Sequence, residues 1–149
     1  MSSLRVNGGV KLSGEIRPQG AKNEALQVIC ATLLSESDVI ISNIPDIIDV
    51  NKLIEILKNL GVKIQELDKG KFCFNAKDIN LEYLNNGNFL EDAKSLRGSI
   101  MLVGPLLSRF GSASIPRPGG DKIGRRRLDT HFINLEKLGA KLEYNSNNR

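Results

Sequence analysis

The chain has 149 residues, 40% of them hydrophobic and 26% charged, which is enough for one packed core and too little for two complete domains. A net charge of +4 admits nucleic acid or small anions as partners, but aromatic residues make up only 5% and tryptophan is absent, so the stacking platforms of single-strand binding are scarce. Met1–Val10 lacks the charged-then-apolar pattern of a leader and no apolar run approaches a membrane span, so a cytoplasmic protein is expected, with no membrane partner.

At the amino end, Leu4–Val6 and Lys11–Ile16 read as two short strands joined through Gly8 and Gly9. A helical stripe follows at Ala25, Leu26, Ile29, Cys30, Leu33 and Leu34, closing on Leu-Leu-Ser. Val39–Ile41 then reads as a short strand that runs into Asn43 and Pro45. The next apolar positions, Leu53, Ile54, Leu57 and Leu60, fall at spacings of three and four, one helix face, and Gly61 supplies the left-handed residue that stops the helix. Val62–Ile64 resumes as strand, and Phe72, Phe74 and Ala76 alternate as another. The Asn-rich stretch Asn80–Asn88 reads as a loop.

The pattern then repeats. Ile100, Met101, Val103, Leu106 and Leu107 form a second helical stripe that again closes on Leu-Leu-Ser, followed by a strand at Ala113–Ile115 and by Pro116 and Pro118. Leu135, Leu138, Gly139, Ala140, Lys141 and Leu142 match Leu57, Leu60, Gly61, Val62, Lys63 and Ile64. Two duplicated helix-strand-helix-strand units make this an α/β chain: 1–20 are leading strands, 21–92 the first unit and 93–149 the second. The tail after Tyr144 has no apolar period and stops where a third unit is expected, so the chain reads as cut short. Cys30 and Cys73 lie in apolar contexts without metal-binding spacing and read as core thiols, not a disulfide.

Three loop-to-helix junctions carry candidate chemistry. Gly20-Ala21-Lys22-Asn23 sets a lysine at a helix start, where free amides and the helix dipole favour an anion, and Asn23 is placed to cap. Ser95-Leu96-Arg97-Gly98-Ser99 puts a cation at the equivalent start in the second unit. Pro118–Asp129 joins a glycine-rich loop and a lone carboxylate, Asp121, to Arg125, Arg126 and Arg127, whose guanidinium groups suit phosphate oxygens. Each also has a plainer reading: a capped helix with a solvent lysine, an exposed arginine, a solvated basic turn. Asp129 is placed to cap the next helix, and His131, the only histidine, reads as an ordinary helix-face residue.

Taken together, Gly20–Asn23, Leu96–Ile100, Gly104–Leu106 and Pro118–Asp129 closely resemble the amino-terminal part of the enolpyruvyl transferases that act on UDP-N-acetylglucosamine, and the similarity covers nearly the whole chain. The shikimate-pathway enolpyruvyl transferase ranks second, since it typically carries a Gly-Ser-Lys-Ser type segment where this chain has Gly-Ala-Lys-Asn. A basic nucleic-acid-binding module is the rival of a different class; its affinity should fall steeply with salt.

The resemblance implies an inside-out α/β barrel of two lobes, each of three repeated units, of which this chain supplies the first strands and two units. It also implies transfer of the enolpyruvyl group of phosphoenolpyruvate to the sugar 3-hydroxyl, with release of phosphate, in peptidoglycan synthesis. No metal or organic cofactor and no nucleic acid partner are implied, and the rest of this lobe and the opposite lobe are needed. By position, Lys22, Asn23 and Arg126 would contact phosphoenolpyruvate. Asn23, Arg97, Arg126, Arg127, Leu128, Asp129, Thr130 and His131 would line the sugar-nucleotide site. Asp121 would be the loop acid that protonates the enolpyruvyl methylene carbon; most members carry cysteine there, and aspartate is a known substitution. The isolated chain is expected to be inactive.

Overall fold

The structure, a computed structural model, describes residues 3–117, 119 and 127–144. Helix α1 (Lys22–Ala31) tightens into a 3-10 turn over Thr32–Leu34 and leads to β1 (Val39–Ile41). Helix α2 (Ile48–Asn59), β2 (Lys63–Asp68) and β3 (Lys71–Asn75) follow. A 3-10 turn at Leu81–Asn85 and helix α3 (Gly87–Ser95) come next, then a 3-10 turn at Arg97–Leu102 that runs straight into α4 (Val103–Phe110), and finally α5 (Asp129–Lys137).

The sheet has the order β1-β3-β2, antiparallel throughout. Register decides which side is buried. Phe74 lies opposite Val39 on one side and Ile64 on the other, and Phe72 opposite Ile41 and Glu66, so both rings share the face turned to the helices. Phe74 is fully buried there with Ile29, Leu33, Leu53, Leu57 and Leu60, the i, i+3, i+4 faces of α1 and α2. Cys73, one residue on, lies on the opposite, partly open face, whereas Cys30 is sealed in the core and burial pushes its thiol well above the ordinary range. Both thiols are free; Cys30 is the core thiol expected, whereas Cys73 is not a core residue, because strand alternation turns it to the open face.

The glycine stops behave as expected. Gly61 has φ +105° and Gly139 φ +100°. At Gly61 even a methyl group would meet the Asp78 carbonyl oxygen at 2.5 Å, so its lack of a side chain serves packing as well as conformation.

Several expectations are corrected. The Asn-rich loop at 80–88 contains a 3-10 turn and the start of α3, because Asn80 and Asn86 act as N-caps: their side-chain oxygens accept from the amides of Glu82 and Asn88 at 3.1 Å each. Phe89 and Ala93 then bury the inner face of α3. Residues 4–6, 11–16, 113–115 and 140–144 form no strand among the described residues. A strand exists only where another backbone takes its hydrogen bonds. Strand β3 serves both β1 and β2; no described strand pairs with 113–115 or 140–144. Leu4, Val6, Val10, Leu12 and Ile16 are accordingly left exposed.

Arg109 on α4, unremarkable in the sequence, ties the layers together. Its Nη1 donates to the carbonyls of Leu33 at 2.9 Å and Ala76 at 2.6 Å, and its Nη2 meets Glu36 Oε1 at 3.2 Å. The guanidinium also lies 4.9 Å from the Phe110 ring centre.

Candidate functional site

Lys22 is the first residue of α1. The N-cap is Ala21, with no side-chain capping bond, so Asn23 sits inside the first turn and does not cap as its type suggested. The loop before it is pinned by contact: at Gly20 a methyl group would come within 1.9 Å of the Asn43 carbonyl oxygen. Asn43 is the one non-glycine residue with positive φ among the described residues, at +61°, a conformation that asparagine tolerates better than most. On its far side, the Ile44 amide donates to the Gly70 carbonyl at 2.9 Å.

This crossing brings the start of α2 beside the start of α1. The Lys22 ammonium is ion-paired with Asp49 in the first turn of α2. Around the pair lies an open cleft of about 500 Å³ lined by Lys22, Asp46, Ile47, Ile48, Asp49 and Asn51. Asn51 Nδ2 donates to Asp46 Oδ1 at 2.8 Å, bracing the turn that leads into α2. Neither aspartate was singled out in the sequence. The available signal was an acidic residue at a helix start just after Pro45, which reads equally well as a dipole-stabilised surface residue.

Arg97 opens the 3-10 turn ahead of α4 and is half-buried. Its neighbour Gly98 rests on α1, where a methyl group would meet Leu26 Cδ1 at 2.8 Å. Leu26 lies four residues after Lys22 and therefore on the same face of α1. Gly98, next to Arg97 in the chain, therefore packs against the helix face that also carries Lys22. Close by, Gly119 approaches the end of α3 so tightly that a methyl group would lie 2.1 Å from the Lys94 carbonyl oxygen. That contact packs Gly119 against the last turn of α3.

Asp121, Arg125 and Arg126 lie outside the described residues. Beyond them, Arg127 Nε donates to Asp129 Oδ2 at 2.6 Å. Asp129 is the first residue of α5 and Leu128 its N-cap, without a side-chain capping bond, so Asp129 holds an arginine where a capping role was expected. Thr130 and His131 follow on the exposed surface of α5. The described part thus holds the Lys22 ammonium at the start of α1, paired with Asp49, and a half-buried Arg97 ahead of α4.

The family model for EPSP synthase (3-phosphoshikimate 1-carboxyvinyltransferase) matches residues 6–149. The chain belongs to the EPSP synthase family. Within the family, it is 55% identical over 145 residues to a UDP-N-acetylglucosamine 1-carboxyvinyltransferase of Bacteroides fragilis, covering 97% of this chain and 33% of that protein. The protein of the same name from Porphyromonas gingivalis is 55% identical over 146 residues, 98% of this chain and 34% of its own length. That of Treponema denticola is 42% identical over 148 residues, 99% and 34%. The chain therefore spans about a third of the length of the curated relatives it matches. Among the described residues no helix is long and apolar enough to cross a membrane.

Proposed function

We propose that this chain is the amino-terminal part of an enzyme that transfers the enolpyruvyl group of phosphoenolpyruvate to the 3-hydroxyl of UDP-N-acetylglucosamine, releasing phosphate, at the start of peptidoglycan synthesis. The observation that carries this reading is the 55% identity, across nearly the whole chain, to relatives of that name. The position of Lys22 at the first residue of α1, where free amides and the helix dipole favour an anion, supports it. In the complete fold, expected to be a two-lobed inside-out α/β barrel, Lys22, Arg97 and Arg126 neutralise the anionic groups of the substrates, with Asn23 beside them. Residues 126–131 line the sugar nucleotide.

The chemistry is an addition followed by an elimination. A base of the opposite lobe takes the proton of the sugar hydroxyl as its oxygen bonds to C2 of phosphoenolpyruvate, while Asp121 delivers a proton to C3, giving a tetrahedral intermediate. Loss of a proton from C3 and departure of phosphate restore the double bond. The cations act by holding the phosphate and carboxylate in place as charge redistributes. A phosphate-release assay with both substrates, run on this chain and on the intact gene product, tests the reading. Activity of the intact product is expected; no phosphate release under saturating substrates would reject it.

The aspartate at 121 also predicts drug response. Epoxides such as fosfomycin alkylate the thiol that most relatives carry, and a carboxylate is a far weaker nucleophile than a thiolate. The intact protein is expected to remain active after incubation with an epoxide that inactivates a cysteine-bearing relative. Mass spectrometry showing stoichiometric labelling at Asp121 would contradict this.

A further inference from the structure

The cleft at the head of α1 holds a carboxylate to which the enolpyruvyl-transfer reading gives no role. Asp49 is ion-paired with Lys22, yet both side chains are partly open to solvent, at 36% and 48%. A pair so exposed contributes little to folding, so stability does not account for it. Its effect is geometric. A lysine ammonium rides on a long flexible stem and has three hydrogens to donate. Paired with Asp49, it has one donor engaged, a restricted direction, and two donors left for an incoming anion.

Asp49 is itself well held. It belongs to the first turn of α2, where the helix dipole favours a carboxylate, and the turn before it is braced by the bond between Asn51 and Asp46. The same segment begins at Asn43, whose left-handed backbone lies against Gly20. Residues 43–49 thus touch the start of α1 twice, once through the backbone and once through the ion pair.

We propose that Asp49 is a positioning residue that aims the Lys22 ammonium at the anionic substrate; this rests on the role of Lys22 proposed above. One effect opposes it, because Asp49 also offsets part of the lysine charge. In a solvated cleft that competition is weak, whereas a donor aimed in advance avoids reorganisation when the substrate is gripped. Positioning therefore outweighs competition, and removing the carboxylate weakens the site.

The test is a set of variants of the intact protein, read in phosphoenolpyruvate binding as well as turnover. Asp49→Asn is expected to lower kcat/KM for phosphoenolpyruvate by about 10- to 100-fold, with the KM for UDP-N-acetylglucosamine and the melting temperature nearly unchanged. Asp49→Glu should recover most of the loss. In a Lys22→Met background, Asp49→Asn should cost less than about twofold, because a residue acting through Lys22 has nothing left to act on. Equal losses in both backgrounds, or tighter phosphoenolpyruvate binding in Asp49→Asn, would overturn the proposal. If Lys22→Met is impaired and Asp49→Asn is not, the positioning role alone fails. If Lys22→Met works at the parental rate, the role of Lys22 fails and this inference with it.

Discussion

Asp121→Asn in the intact protein is expected to lower kcat by about 100- to 10,000-fold, the contribution of a positioned general acid, while changing KM little. Asparagine keeps the volume of the side chain and much of its hydrogen bonding, but its amide has no proton to give to carbon. Phosphate release under saturating substrates measures the loss, and a near-parental rate in the variant would remove Asp121 from the mechanism.

Arg109→Met is expected to destabilise the fold by about 3 kcal/mol, from the cost of leaving buried acceptors unpaired, without any direct effect on substrate binding. The methionine preserves the apolar stem but abandons the carbonyls of Leu33 and Ala76, two residues with 0% and 1% exposure. The Arg109 side chain is 13% exposed, so water has poor access to replace it. The bond to Glu36 matters less, since that carboxylate is largely solvated. Arg109→Lys should lie between parent and methionine, because a single ammonium cannot match the planar fork that spans both carbonyls. Urea unfolding gives the measurement; a change below about 1 kcal/mol in Arg109→Met would show that the two carbonyls find other partners.

Much of the architecture could be read directly from residue order. The spacing of Leu53, Ile54, Leu57 and Leu60 against Gly61 predicted α2 and its stop, and the alternation of Phe72 and Phe74 predicted β3, because helix and strand periods are local properties of the chain. The Asn-rich segment misled for an equally local reason. Asparagine serves loops and helix caps alike, and only the following Phe89 and Ala93, seated in the core, decide for the cap. The strands expected at 4–6, 11–16 and 113–115 failed differently, since a strand is defined by its neighbour and periodicity does not reveal whether one is present.

The candidate site divides along the same line. Its chemical vocabulary, a lysine and an arginine at two helix starts and a carboxylate beside three arginines, is written in the order of residues, because side-chain type and position in the chain are local properties. Tertiary packing alone decided that Gly98, next to Arg97, rests on Leu26 of α1. It alone decided that Asp49 meets Lys22, through a crossing at Gly20 and Asn43 so close that no side chain fits between. Contacts of that kind join residues distant along the chain and depend on where helices cross, which periodicity within any one segment does not encode.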